Sequence, residues 1–263
     1  MLGPEFANCW LKIGRAEEHA NTFYRELKTW VDGDPYVIRR KLNADGSRHS
    51  LVVEDIKTEP TLDRWGLILG DCIHNLRSTL DNFVYALAIH ETGQDPPADK
   101  KILQFPITDK PEDFPKQLWR LKSLSAHMQA AIERVQPYNR RHPSLPPLLA
   151  LLRDLDDFDK HRLLNVVIFQ VGEGEFSFRL PPGSGKPVVD FRKERLERGA
   201  EMVWFTVSPP QPDLQYDHKA AIVVTIGHIP GPSGNGRTEA PVVIHSLITE
   251  VKKVIEILGA SVL

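Results

Sequence analysis

GDCIHNLRSTLDNFVYALA (Gly70–Ala88) is the stretch on which the reading of this chain turns. On a helix advancing about 100° per residue, Leu69, Ile73, Leu76, Leu80, Val84 and Leu87 share one face, which predicts the core side. His74, Arg77 and Asp81 form a polar stripe at its edge, with Arg77 and Asp81 at the i, i+4 spacing that lets opposite charges meet. Gly70 and Ala88 extend the stripe; both are small and leave room for a neighbouring helix or a ligand. Asn75, Thr79 and Asn82 are expected to face water.

The complement is LLRDLDDFDKHRLL (Leu151–Leu164), read with the residues before it as a helix over Leu148–Leu164. Leu148, Leu152 and Leu155 define an apolar line, Asp159 falls on that line, and Asp156, Lys160 and Leu163 flank it. A carboxylate on a core stripe must be neutralised or hydrogen-bonded. The expectation is that Arg77 and Asp159 pair directly between the two helices, with His74 and Asp81 in the same cluster.

Outward from these segments, a helix is predicted over Ala7–Val31, with Trp10, Ile13, Ala16, Ala20, Phe23, Leu27 and Trp30 inward. Strands Tyr36–Leu42 and His49–Ile56 flank the turn residues Asn43–Ser47, an N-terminal β-hairpin. The Gly70 helix is predicted to span Arg64–His90, ended by Glu91-Thr92-Gly93. An extended piece, Ile102–Ile107, precedes weaker helical patterning between Phe114 and Val135 and a proline-rich connection at 143–147. After Asn165 the texture changes to strands at Val166–Val171, Glu175–Leu180, Pro187–Phe191, Met202–Val207 and Ala220–His228, with Gly172-Glu173-Gly174 as a hairpin turn. A helix over Val242–Leu258 closes the chain, with Leu247, Val251, Val254 and Leu258 inward. The fold class is therefore α+β: a helical bundle packed on a mostly antiparallel β-sheet. Residues 1–164 form a helical part with the inserted hairpin, and 165–263 a sheet part with a C-terminal helix, packed as one unit.

Composition narrows function. A formal net charge of −2 over 263 residues gives no global field for nucleic acid, so that partner is not favoured. Cys9 and Cys72 form no C-x-x-C pair, which excludes a zinc ribbon or a thioredoxin-like motif. No apolar run of membrane-spanning length occurs, and MLGPEFANCW lacks a basic-then-apolar leader pattern, so a cytoplasmic location is expected. Residues Gly231–Thr238 mimic a phosphate-binding loop, but Arg237 replaces its lysine and Pro241 delays the helix, so a plain loop is predicted. Arg39, Arg40, Lys41 and Arg48 cluster on the hairpin as a charged edge. His127, His142, His218, His228 and His245 show no ligand spacing, and H-E-x-x-H is absent; no cofactor or metal site is predicted, from His74, Asp81, Asp159 and His161 included.

Gly70-Asp71, His74-Asn75-Leu76-Arg77, Leu80-Asp81 and Asp159-Lys160-His161-Arg162 resemble a bacterial protein family with a G-D-x-x-H-N-L-R-x-x-L-D helix and a later D-K-H-R-x-L helix. That resemblance implies a bacterial source and the choice of site, with no activity attached. The helical part is also similar in outline to HEPN domains, some of which are ribonucleases with an Arg-x4-6-His motif. Arg77 would supply the arginine, whereas Asn82 stands five residues on.

Two functions follow. The first is a non-catalytic or regulatory interaction protein, with a small molecule or a protein as partner and the His74/Arg77/Asp81/Asp159 charges structural. The second is an enzyme, HEPN-like ribonuclease or hydrolase, using these four residues for acid/base chemistry on an anionic or phosphate-containing substrate. A solvent-connected pocket reaching His74 and Arg77 would favour the second.

Overall fold

The structure, a computed structural model, describes residues 3–140, 142, 145–192, 195–230 and 237–262. The chain is an α+β protein with helices α1 (Ala7–Asp32), α2 (Leu62–Thr92), α3 (Ala126–Arg134), α4 (Leu148–Asp159) and α5 (Ala240–Ala260). Its strands are β1 (Tyr36–Leu42), β2 (Arg48–Ile56), β3 (Val166–Arg179), β4 (Val188–Phe191), β5 (Glu201–Thr206), β6 (Gln215–Pro230) and β7 (Arg237–Glu239). They form a four-stranded sheet of order β1-β2-β5-β4 and a three-stranded sheet of order β3-β6-β7. No helix among the described residues is long and apolar enough to cross a membrane. The loop expected over Gly231–Thr238 has residues 231–236 outside the described set.

Two compact units emerge, and neither is continuous in sequence. One holds the chain through Tyr24, Asp63–Asn165 and His228 onward; the other holds Arg25–Leu62 and Val166–Gly227. This differs from a division at Leu164. The hairpin groups with the later strands because β2 pairs with β5, and α5 groups with the helices because it buries an apolar face against them.

In the helical unit, α2 is buried on nearly every side. Its predicted core residues Leu69, Ile73, Leu76, Leu80, Val84 and Leu87 are all inaccessible, and so are Cys72, Thr79 and Phe83. Thr79 was expected in water; instead its hydroxyl donates to the Asn75 carbonyl (2.8 Å), which lets a polar side chain sit in the core. The inward line of α1 runs Cys9, Ile13, Ala16, Ala20 and Phe23, so Trp10 is displaced outward and lies exposed. Phe6 meets Phe83 at 5.1 Å and Phe23 meets Trp65 edge-on at 6.0 Å, fixing α1 to α2. Burial pushes the Cys9 and Cys72 thiols up to about 12, which keeps them unreactive. At Gly66 an added Cβ would run into the Leu164 carbonyl, so only glycine permits this approach.

In the strand unit, β1 and β2 pair from Tyr36↔Ile56 to Leu42↔His49 around a turn with Gly46 at φ 72°. Asn43 and Asp45 side chains accept from the Arg48 and Ser47 backbone, which is the turn chemistry the sequence announces. The basic cluster is a neutralised edge: Arg39 pairs with Glu54, Arg48 with Glu201, and Arg40 donates to the Leu214 carbonyl while lying on Tyr216. The turn expected at Gly172-Glu173-Gly174 is absent. β3 runs through it, and the register shift from Gln170↔Ile222 to Gly174↔Ala220 places a bulge there. Glycine serves a bulge as well as a turn, so the two strands expected here are one.

His49 is fully buried in this unit, opposite Phe205 in register and stacked on its ring at 4.8 Å. Neither ring nitrogen makes a hydrogen bond of ordinary geometry. Burial, with Arg40 adding, holds the imidazole below its usual range; the Gln211 backbone opposes this only in part. The unfolded chain then binds a proton that the folded chain refuses. Stability should be level above about pH 6.5 and fall as pH drops below it. His49→Phe should be no less stable at pH 7.5 and should flatten that fall. Urea midpoints at pH 7.5, 6.5 and 5.5 check this; parallel pH profiles for the two proteins would contradict it.

Candidate functional site

The site is built around the backbone of one residue, Phe105. Ile102 closes a turn and residues 103–108 belong to no helix or sheet, so their backbone groups need other partners. Asp81 Oδ1 accepts from the Phe105 N–H (2.9 Å), and Arg77 Nη2 donates to the Phe105 carbonyl (2.9 Å). One turn of α2 thus grips both sides of one residue, whose ring is fully buried. Three residues on, Gln136 repeats the device: its amide accepts from the Thr108 N–H and donates to the Pro106 carbonyl, each at 2.9 Å. Arg77 Nη1 stands 2.9 Å from Asp81 Oδ1 as an ion contact without hydrogen-bond alignment. Burial pushes the Asp81 carboxyl up, and Arg77 opposes that most strongly.

The pairing expected between Arg77 and Asp159 is not made. Arg77 is held by Asp81 and Phe105, and among the described residues no cation lies within ion-pair distance of Asp159. The reason is the phase of α4, which turns Asp156 rather than Asp159 into the core. The helix stops at Asp159, not Leu164, and the chain turns as the His161 and Arg162 N–H groups donate to Phe158. Asp159 comes to rest over Gly70, where an added Cβ would overlap its carboxylate. Burial, then Asp71 and Asp156, push the Asp159 carboxyl up, with His74 acting in the opposite sense.

The buried carboxylate of α4 is Asp156, 2% exposed. The inward stripe runs Leu149, Leu152, Asp156 at i, i+3, i+7, and Leu148 is only partly covered. Asp156 Oδ2 meets Lys160 Nζ at 2.7 Å, and Oδ1 meets His74 Nδ1 at 3.3 Å. His74 is otherwise in water, its side chain 63% exposed. Of the four predicted site residues, Arg77 and Asp81 share one clamp, while His74 and Asp159 approach Asp156. Among the described residues no cluster of three or more histidines, cysteines or carboxylates is arranged to hold a metal ion.

Next to the clamp opens a pocket of about 300 Å³. Its lining carries four cations, Arg77, Arg120, Arg153 and Lys160, against one acid, Asp157. Three of the cations are paired with carboxylates: Arg77 with Asp81, Arg153 with Asp109 and Asp154, Lys160 with Asp156 and Asp157. Among the described residues Arg120 has no carboxylate partner. Its buried Nε lacks an acceptor, and its guanidinium lies over the Trp119 ring at 4.8 Å. An anion entering the pocket meets an uncommitted guanidinium flanked by three positioned cations. A second pocket of about 300 Å³ is lined by Arg140, His245 and Lys253, but there Arg140 closes onto Glu250 at 2.8 Å.

Asp156, Arg120, Arg153 and Trp119 were not singled out from sequence. Asp156 had a signal in its i, i+4 spacing to Lys160. Arg120 and Trp119 had none, because they sit on a 3-10 helix, Pro115–Leu121, whose threefold turn gives no α-helical stripe. No family model, curated protein or solved structure matches this chain.

Proposed function

We propose that this protein is a non-catalytic, regulatory binding protein whose partner is a small phosphate-bearing anion held in the Arg77/Arg120/Arg153/Lys160 pocket. The observation that carries this is Arg120, a half-buried guanidinium without a carboxylate in a lining of cations. Binding is favoured over catalysis because the pocket lining holds no imidazole and neither Asp81 nor Asp159. The acid/base candidates point elsewhere: His74 is exposed outside the lining, and Asp159 rests over Gly70.

An enzyme remains the second reading, favoured by one arrangement. A buried Asp156 carboxylate at His74 Nδ1 leaves Nε2 of an exposed imidazole oriented as a general base. Lys160 bridges the two, lining the pocket while pairing with Asp156.

The test is thermal unfolding with inorganic phosphate or pyrophosphate against sodium chloride at equal ionic strength. A ligand at about 100 times its Kd stabilises by about 2.7 kcal/mol, a shift of several degrees. The shift should vanish in Arg120→Ala and persist in Lys253→Ala, which alters the second pocket. No shift beyond chloride, or an undiminished one in Arg120→Ala, would contradict the reading. Phosphate release from a phosphate ester that is lost in His74→Ala would favour the enzyme.

A further inference from the structure

We infer that the anion is carried by a nucleotide: the phosphate enters the pocket at Arg120 and the base stacks on the neighbouring Trp119. This rests on the anion-binding reading and goes beyond it by naming the ligand class. Trp10 is 40% exposed and Trp30 and Trp65 are 8% and 1% exposed, while Trp119 is the most exposed of these four at 50%. An indole left in water is costly, and single exposed aromatics are ordinary, so its place decides the matter. The guanidinium that lines the pocket is the one lying 4.8 Å over one face of the Trp119 ring, so the pocket and the indole share a residue, and the base would take the ring face that Arg120 does not cover.

This gives the two contacts a nucleotide needs. Cations neutralise the phosphate, and a flat π-surface beside them accepts the base. The pocket is at the small end of ligand sites, enough for the charged end of the ligand while the base lies outside it on the indole. Stacking tolerates any base, so the arrangement selects a nucleotide over a sugar phosphate without choosing among bases. The chain's net charge of −2 and the small size of the pocket favour a mononucleotide over a nucleic-acid strand.

The experiment is calorimetric titration of the full chain with inorganic phosphate, ribose 5-phosphate, AMP and GMP. AMP and GMP should bind about 5- to 150-fold tighter than ribose 5-phosphate, the range expected of one base stacked on an aromatic ring. Trp119→Ala should shrink that ratio below about twofold and Trp119→Phe should keep most of it, both checked as folded by circular dichroism. Equal affinity for AMP and ribose 5-phosphate would overturn the nucleotide inference and leave the anion pocket standing. A preference for AMP that survives Trp119→Ala would overturn the stack. No binding of any of the four would remove both readings together.

Discussion

Arg77→Ala is expected to destabilise the protein by about 3–5 kcal/mol, the cost of breaking a buried charge pair by removing one partner. Arg77 is 10% and Asp81 30% exposed, so the carboxylate left behind is poorly hydrated. The change also strips the Phe105 carbonyl of its donor. The effect should depend on pH in a definite sense. Burial already raises the Asp81 carboxyl, and without Arg77 it rises further. The folded variant then takes up a proton more readily than the unfolded chain, so its deficit grows as pH rises through the folded value and shrinks as pH falls. Arg77→Ala/Asp81→Ala should cost less than the sum of the singles, because each single strands a charge that the double removes. Denaturant midpoints at pH 7 and pH 5 check both points. Additive losses below about 1 kcal/mol would contradict the clamp.

The Asp156 contacts should behave in the opposite way. His74→Ala and Lys160→Met each leave Asp156 one side-chain partner, and both side chains are about half exposed or more, so each single should cost about 1 kcal/mol or less. The double variant leaves a carboxylate at 2% exposure with neither, and should cost about 3–5 kcal/mol, well above the sum. A double variant that merely adds the singles would mean that Asp156 is satisfied by something else.

Much of this arrangement is legible in the sequence because periodicity reports one element meeting one core. The stripe of α2 and the hairpin of β1 and β2 follow from it directly, and so does the Arg77–Asp81 pair one helical turn apart. What was not legible depends on how elements are phased and what they meet. Phasing α4 on Leu149, Leu152 and Asp156 buries Asp156 and leaves Asp159 over Gly70, and no spacing rule distinguishes the two stripes. Grouping the hairpin with β5 needs a pairing partner some 150 residues away. Arg120 is harder still: its role comes from lacking a partner, which sequence cannot express.

The most direct test of the account is a crystal structure of the protein grown with pyrophosphate, read at Arg120. The account predicts phosphate oxygens within about 2.7–3.2 Å of the Arg120 guanidinium, with Arg153 or Lys160 on the same group and the Arg77–Phe105–Asp81 clamp unmoved. Pyrophosphate seated beside His245 and Lys253 instead, or an empty pocket at saturating ligand with Arg120 folded onto a carboxylate, would contradict it.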